Sequence, residues 1–239
     1  MKGCVLTFQT DNDFDVRIPV PRLLSAPDLP AADSRGSRGF YRRFGKRALD
    51  IVLVVLSLPA VLPLILAMAL IVALDGGAPF YRQARVGRGG RLYTMWKLRS
   101  MVRGADDSLA AHLKADPAAH AEWVLTQKLK DDPRVTRFGH LLRRSSMDEL
   151  PQLWNVLRGD MSLVGPRPMM PDQQDLYPGQ AYYSLRPGIT GPWQVSERNE
   201  SAFADRAHFD AAYARDVSLA TDLRLLGATV RVVLRATGY

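Results

Sequence analysis

The sequence contains a single cysteine, Cys4, so no disulfide can form within the chain, and a reducing compartment is expected. The first twenty residues lack the basic start and apolar core of a secretory signal, so export is not expected. The four histidines have no zinc-site spacing, and neither a phosphate-cradling glycine loop nor a serine-hydrolase elbow is present. These absences argue against disulfide-stapled, zinc-binding, P-loop and serine-hydrolase proteins.

The chain does carry a large positive charge together with many apolar residues. Its formal net charge is +8, and 47% of its residues are hydrophobic. Such a balance favours polyanionic partners, which are nucleic acids, anionic membranes or phosphorylated small molecules. The basic residues do not form a recognised nucleic-acid motif, so no nucleic-acid partner is expected.

A long apolar run follows a polar tail and a basic cluster. Residues 1–38 are predicted to be a disordered cytosolic tail, because they are rich in Pro, Asp, Ser and Arg and have no sustained period. The cluster ends at Lys46-Arg47, and residues 48–74 are then almost wholly apolar. A straight helix of that length would extend about 40 Å, enough to cross a hydrocarbon layer of about 30 Å.

Two features of the run favour a re-entrant helix over residues 39–75. Pro59 and Pro63 lie near its middle, where each removes a backbone donor and crowds the preceding turn. Positive charge flanks both ends, whereas a spanning helix has its basic excess mainly on the cytoplasmic side. We therefore predict a break at residues 57–59, where the Ser57 hydroxyl can bond a carbonyl that the break frees. A spanning helix and a buried helix of a soluble protein are the alternatives.

Residues 76–239 are predicted to form a small catalytic domain. Alternating residues predict a β-hairpin in which 80–86 pairs with 92–98. Helices are predicted over 105–130, with a restart at Pro117, and over 137–144. A helix from about Asp216 carries an apolar stripe, so it either lies on an anionic membrane or packs on the core. The stripe comprises Leu219, Leu223, Leu226, Val230 and Val233.

The fold class that these elements indicate is α+β and predominantly helical. It comprises an N-terminal re-entrant membrane helix-break-helix, a β-hairpin, and a small catalytic domain on the membrane surface that ends in an amphipathic helix.

An acidic pair carries the strongest chemical signal. Asp148 and Glu149 follow a pair of arginines that includes Arg143. Ser146 with Glu149 three residues later is a capping-box pattern, which predicts a helix that starts here and ends at Gly159. Acidic residues at a helix start are structurally ordinary. Two adjacent carboxylates beside arginines can also bind a divalent metal and meet a phosphate.

Further basic residues lie at rigid positions and are candidates for binding substrate phosphate. Arg167 and Arg186 each lie in a Pro/Gly turn, which fixes the backbone so that the guanidinium is positioned. Lys97 and Arg99 end the second arm of the hairpin and share a face, because they are two residues apart. Each is alternatively an ordinary surface residue.

Together these segments resemble the bacterial sugar transferase family, the small monotopic polyprenyl-phosphate phosphoglycosyl transferases. The resemblance runs from about Lys46 to the C-terminus. Its blocks are Lys46-Arg47 with Asp50, the proline-broken apolar run, Pro79-Phe80, Gln83-Ala84-Arg85-Val86-Gly87, Lys97-Leu98-Arg99-Ser100-Met101, and the segments 143–152, 159–168 and 186–194. The segment 193–199 and the long last helix look most like members that start exopolysaccharide synthesis.

The resemblance implies transfer of hexose-1-phosphate from a UDP-sugar to undecaprenyl phosphate. Asp148 would attack the sugar-bearing phosphorus and release UMP, and undecaprenyl phosphate would then attack the phosphosugar-aspartate. Magnesium is implied as the cofactor, held by Glu149 and Asp148, with Glu149 as the main ligand or as an acid/base partner. Lys97 matches a catalytically required lysine, and Arg143 and Arg167 match phosphate-binding arginines.

Several expectations concern specificity and location. Asp222 matches a late acidic residue of the family, whereas Glu197 stands where many members have Gly, which puts donor preference in question. Galactose and glucose are the expected sugars. The expected location is the cytoplasmic face of a bacterial inner membrane, in contact with its lipids, and a homo-oligomer is left open. The competing hypotheses are a non-catalytic membrane-surface binding protein and an inactive scaffold.

Overall fold

The computed structural model describes residues 39–74, 76–126, 129–196 and 203–234. The predicted tail, including Cys4, and the departure at Glu197 lie outside these residues.

The first helix, α1, covers Lys46–Ala73 and follows a π-helical turn at Tyr41–Gly45. It is continuous through Pro59 and Pro63, so the predicted break does not interrupt the helix, and the re-entrant turn stays a prediction. Ser57 Oγ donates to the carbonyl of Val54 over 2.8 Å. The carbonyl that loses its usual donor at Pro59 is the next one along, at residue 55, because helical N–H groups bond four residues back.

Helix α1 is long and apolar enough to cross a membrane, and it is largely exposed. Only 17% of its most apolar 18-residue window is buried. Its buried residues lie toward the two ends, where Val54 packs with Met95 and Val156, and Met68 packs with Leu98. A core helix of a soluble protein would instead be mostly buried. The exposed apolar surface of α1 therefore indicates membrane association.

The predicted β-hairpin is confirmed. Strand β1 (Phe80–Val86) pairs antiparallel with β2 (Leu92–Leu98), and Phe80 lies opposite Leu98. The connecting turn contains Gly89 and Gly90 with φ of 68° and 77°, a conformation that side-chain-bearing residues rarely adopt. Met95 and Leu98 on β2 are buried, so β2 connects the hairpin to both ends of α1.

The predicted helices of the middle segment form, but the stretch predicted to be helical as far as residue 130 ends at Thr126. They are α2 (Ala105–Ala115), α3 (Pro117–Thr126), which begins at its proline, and α4 (Arg137–Arg144). The predicted capping box was wrong, because Ser146 makes no side-chain cap bond and has φ of 57°. A short 3₁₀ turn at Met147–Glu149 follows, and helix α5 (Gln152–Arg158) begins only after Pro151 and ends at Gly159 as predicted.

The second half of the domain contains a parallel strand pair that the sequence pattern did not predict. Strands β3 (Ser162–Val164) and β4 (Gly188–Thr190) have three residues each, too few for a visible alternation. Glycine is required where they meet, since a Cβ on Gly188 would lie 2.1 Å from the backbone nitrogen of Gly165. The remaining helices are α6 (Ala181–Ser184), α7 (Pro192–Ser196), α8 (Arg206–Arg215) and α9 (Leu219–Leu234).

Helix α9 packs on the core through a face that includes one residue of the predicted stripe, Leu226. Asp222 is buried, and Leu225 and Leu226 pack against the cluster of α8. Two residues of the stripe, Leu223 and Val230, are 50% and 59% exposed. The core-packing alternative therefore holds for one face of α9, while much of its stripe is left available to a membrane.

Candidate active site

A sharp turn presents the acidic pair. Ser146 is the one non-glycine residue with positive φ among the described residues, so the backbone is strained immediately before the pair. Met147 and Leu150 on either side pack against the cluster that contains Met68 of α1. The turn is therefore held between the domain and the membrane helix, with Asp148 directed inward and only 7% exposed.

Lys97 is the closest cation to the acidic pair. Its Nζ lies 2.7 Å from Glu149 Oε1 and 3.8 Å from Asp148 Oδ2. The alternation of β2 turns this lysine toward the turn, whereas its neighbour Leu98 enters the core. One ammonium therefore lies within ion-pair distance of both carboxylates, and it favours the charged form of Asp148.

Arg143 approaches the pair from the end of α4. Its Nε donates to the hydroxyl of the buried Ser100 over 2.9 Å, which fixes the guanidinium. Desolvation lowers the pKa of Arg143, while the charges of Asp148 and Asp132 raise it. The group remains a cation, because an arginine pKa lies far above neutrality. Arg143 is thus a rigid positive charge next to the acidic pair.

Burial and the neighbouring cations act on the pKa of Asp148 in opposite directions, as is typical of a reactive carboxylate. Burial raises the pKa of Asp148 above its ordinary value, and the nearby Glu149 adds to the rise. Lys97, Arg143 and Arg167 act in the opposite direction. A buried carboxylate that depends on cations for its charge is poorly solvated, and this makes it a better nucleophile.

Arg167 connects the acidic pair to a second group of arginines, which we call the donor-side arginines. These are Arg85, Arg167 and Arg206. The guanidinium of Arg167 lies 3.9 Å from Glu149 Oε1 and 5.9 Å from the ring centroid of Trp193. Arg206 stacks on the same ring at 4.3 Å. Arg167 therefore lies near Glu149, and its predicted role in binding phosphate stays a prediction.

Arg85 and Arg206 are unusual because each has a buried Nε without a hydrogen-bond partner. Desolvation, followed by the charges of Arg167 and Arg85, lowers the pKa of Arg206 to about 9. Arg85 donates to Gln83 Oε1 and weakly to the Pro168 carbonyl, but those acceptors are uncharged. Clustered guanidinium groups with unused donors are suited to bind a phosphate.

The sequence carried only a partial signal for these two residues. Arg85 lies in a segment that resembles the family, yet nothing local assigned it a role. Arg206 begins an ordinary helix and was not predicted, because its burial against Trp193 and Phe203 depends on contacts between distant segments.

Three predicted site residues lie elsewhere. Arg99 donates to the carbonyl of Val72, near the C-terminal end of α1, and to that of Ala78, in the loop that follows. Arg186 donates to the Gly159 carbonyl, and its electrostatic neighbours are Arg47, Arg88 and Asp50. Asp222 accepts hydrogen bonds from Lys46, Tyr41 and Tyr213. These contacts connect chain segments and do not reach the acidic pair.

The donor set at the pair fits magnesium with help from a substrate. Asp148 and Glu149 offer hard oxygen ligands, and no group of three or more metal-ligating side chains exists among the described residues. Magnesium usually binds one or two carboxylates together with substrate phosphates and water. The pair could therefore hold Mg²⁺ jointly with a diphosphate.

An apolar groove adjoins the pair on the α1 side, with a volume of about 310 Å³. Leu58, Leu62 and Ile65 of α1 form one wall of this groove. Leu150 and Pro151, which directly follow the acidic pair, belong to the other wall. The rest of its lining is Phe80, Trp96, Leu153, Trp154 and Leu157.

Comparison with known proteins gives one consistent result. Residues 41–236 match the family described as bacterial sugar transferase. The chain is 46% identical over 198 residues to the UDP-galactose-lipid carrier transferase of Erwinia amylovora, which covers 82% of this chain and 42% of that protein. It is also 46% identical over 198 residues to the undecaprenyl-phosphate galactose phosphotransferase of Salmonella typhimurium, with the same 82% and 42% coverage.

A shorter relative matches along most of its length. The exopolysaccharide production protein ExoY of Sinorhizobium fredii is 44% identical over 196 residues, which cover 81% of this chain and 87% of that protein. This chain therefore spans less than half of the Erwinia and Salmonella relatives but most of the Sinorhizobium one.

Proposed function

Because the chain belongs to the bacterial sugar transferase family, we propose that it transfers hexose-1-phosphate from a UDP-sugar to undecaprenyl phosphate and so starts exopolysaccharide synthesis. The observation that carries the proposal is a buried carboxylate, Asp148, 3.8 Å from the ammonium of Lys97 and next to arginines. Two relatives named for galactose make UDP-galactose the first donor to test, with UDP-glucose second.

The first half-reaction forms a covalent intermediate on Asp148. A carboxylate oxygen attacks the sugar-bearing phosphorus, the bond from that phosphorus to the bridging oxygen breaks, and UMP leaves with the bridging oxygen. Attack of one anion on another requires that the phosphate charge be offset. Lys97, 3.8 Å from Asp148, and Arg143, whose charge acts on the pKa of Asp148, could do this.

The second half-reaction regenerates the carboxylate. A phosphate oxygen of undecaprenyl phosphate attacks the same phosphorus, and the bond to the Asp148 oxygen breaks. The product is a lipid diphosphate sugar. Glu149 lies beside Asp148 and could accept the acceptor's phosphate proton where one is present, while Lys97, 2.7 Å away, would hold its side chain in place.

The donor-side arginines have a distinct role in the proposal. One of them, Arg167, lies 3.9 Å from Glu149. The other two each have a buried Nε–H that makes no hydrogen bond. We assign them to the phosphate that leaves as part of UMP. Magnesium, held by Glu149 and Asp148 together with the diphosphate, would supply additional charge neutralisation.

The apolar groove suits the isoprenoid chain of the acceptor. It begins at Leu150 and Pro151, directly after the acidic pair, and its other wall belongs to the exposed apolar helix α1. A chain lying there would keep its tail in the hydrocarbon layer while its phosphate reached Asp148. This geometry requires the acidic pair to lie close to the lipid headgroups.

We propose that α1 enters the membrane and returns to the same face. Both of its ends pack on the one domain, near Val54 and near Met68, whereas a straight crossing would carry one end away. The charge that flanks both ends favours the same topology. The domain would then lie on the cytoplasmic face of the inner membrane.

The test is release of UMP by the purified protein. The assay supplies magnesium, undecaprenyl phosphate and one UDP-sugar at a time, and mass spectrometry looks for a hexose-phosphate adduct on Asp148 before acceptor is added. UMP formation with a galactose or glucose donor, together with the adduct, is expected. A lack of UMP with every common UDP-hexose would favour a binding protein or an inactive scaffold.

A further inference from the structure

A second basic site lies at the start of α1, away from the acidic pair. We call it the arginine pocket, a cavity of about 450 Å³ that also contacts Gly39 and Phe44. None of the described residues that line it is a carboxylate. Its five basic side chains are Arg42, Arg43, Arg47, Arg88 and Arg186.

Three of these arginines are held by backbone carbonyls near helix C-termini. Arg47 donates to the carbonyls of Val156 and Leu157 in the last turn of α5, and Arg186 Nε donates over 2.9 Å to Gly159 just beyond it. Arg42 donates over 3.0 Å to Ala214 near the end of α8. A helix C-terminus supplies only about half a negative charge, so these bonds position the arginines without neutralising them.

The positive charge of the pocket is therefore mostly unbalanced. Desolvation, followed by the charges of Arg47 and Arg88, lowers the pKa of Arg186, which indicates repulsion inside the pocket. Among the described residues, Asp50 is the one acidic group that acts on the pKa of Arg186, and its Oδ1 accepts hydrogen bonds from Ser162 Oγ and the Leu163 amide. An anion in the pocket would relieve this repulsion.

The surroundings of the pocket are those of a membrane interface. Phe40 and Phe44 are 78% and 55% exposed, and the guanidinium of Arg43 lies 5.3 Å from the Phe44 ring centroid. The exposed apolar residues Val52 and Val55 follow on the first turns of α1. Aromatic and basic residues beside an apolar helix are typical of the level of the lipid headgroups.

We propose that the arginine pocket binds the phosphate of an anionic phospholipid, whose acyl chains lie along the first turns of α1. This site goes beyond the proposed reaction, and of the proposed function it uses the membrane attachment alone. It also gives Arg186 a phosphate ligand at a place that the sequence did not indicate. A bound lipid at this point would fix the depth and orientation of α1 in the membrane.

The test removes charge without removing the anchoring bonds. Arg43 and Arg88 line the pocket, and within the described part of the chain their guanidinium groups make no hydrogen bond. The test variant is therefore Arg43→Gln/Arg88→Gln. The matched control is Arg91→Gln/Arg137→Gln, which removes the same charge from exposed residues outside the pocket.

The full chain is reconstituted in phosphatidylcholine nanodiscs that contain a minor fraction of phosphatidylglycerol. Native mass spectrometry then counts the phosphatidylglycerol that remains bound after release from the nanodisc. Wild type and the control pair should retain this lipid in preference to phosphatidylcholine. The pocket variant should bind it about thirtyfold more weakly, as expected for the loss of two interfacial charges. Arg43→Lys/Arg88→Lys should restore most of the binding.

Three outcomes would overturn the proposal. Equal losses in the pocket and control variants would mean that only overall charge matters. Displacement of the lipid by UMP or inorganic phosphate in solution would mean that the ligand is a soluble phosphate. Failure of the lysine pair to restore binding would mean that charge is not the cause. The lipid count needs no turnover, so it succeeds or fails independently of the UMP assay.

Discussion

The acidic site and the arginine pocket both contain several cationic side chains, but the groups that offset this positive charge differ between them. At the acidic site, Lys97 lies 2.7 Å from Glu149 and 3.8 Å from Asp148, so cation and carboxylates offset one another. In the pocket, Arg42, Arg47 and Arg186 are held by backbone carbonyls that carry only partial charge. The first arrangement can hold a nucleophile, and the second can only hold an anion.

The two sites also lie at opposite ends of the same membrane helix. The turn with Asp148 packs against the cluster of Met68 and Val72 near the end of α1. The arginine pocket surrounds the residues just before α1 and its first turn. If α1 turns back in the membrane, both sites face the headgroup layer, one for chemistry and one for attachment.

The largest effect that separates the two sites is expected from Asp148→Asn. Loss of the nucleophile should lower the rate of UMP release by at least about a thousandfold. The exposed Asp107→Asn should behave like wild type, and so should Arg43→Gln/Arg88→Gln in phosphatidylcholine alone. Turnover that survives in Asp148→Asn would remove the basis for the comparison.

A smaller loss of activity is expected when Lys97, the cation that contacts both carboxylates, is replaced. Lys97→Met should lower kcat by about a hundredfold to a thousandfold, because the ammonium no longer offsets charge that develops on the phosphate. The exposed Lys114→Met is the matched control. If kcat is unchanged and only protein yield falls, Lys97 is a structural partner of Glu149 and has no part in the chemistry.

The donor-side arginines should affect binding more than chemistry. Arg206→Lys keeps the charge but loses the stacked, forked donor, and should raise KM for the UDP-sugar about tenfold to a hundredfold. Inhibition by added UMP should weaken by a similar factor, which a purely structural role would not produce. Arg215→Lys, on an exposed turn of the same helix, provides the control.

The smallest expected effect is the dependence of kcat and of stability on pH, which reports the pKa of Asp148. Because burial raises the pKa of Asp148, the acid limb of kcat should lie at a higher pH than an ordinary aspartate would give. The same shift means that ionised Asp148 destabilises the fold, so stability is lost as pH rises through its folded pKa.

Asp148→Asn should therefore unfold at a higher temperature than wild type. The difference should grow as pH rises from the ordinary aspartate pKa to the raised pKa of the folded protein, and level off above it. Thermal unfolding in detergent across a pH series measures it. A difference that is constant with pH would mean that folding does not raise the pKa of Asp148.

Local patterns in the sequence determined a good deal of this protein. The hairpin, helices α2 to α4 and the end of α5 at Gly159 follow from alternation, proline placement and glycine, which act within a few residues. The apolar run and the acidic pair could be recognised in the sequence for the same reason, because each is a local pattern. The resemblance to a sugar transferase was confirmed by the match over residues 41–236.

Tertiary structure alone decided where the charged side chains lie. Asp222 is paired with Lys46, a residue 176 positions away, and Arg206 joins Arg167 through a shared contact with Trp193. The positions of Arg99 and Arg186 also depend on tertiary structure, because each guanidinium donates to a backbone carbonyl near a helix end. Long side chains bind whatever partner the packed fold brings within a few ångströms, and sequence spacing does not contain that information.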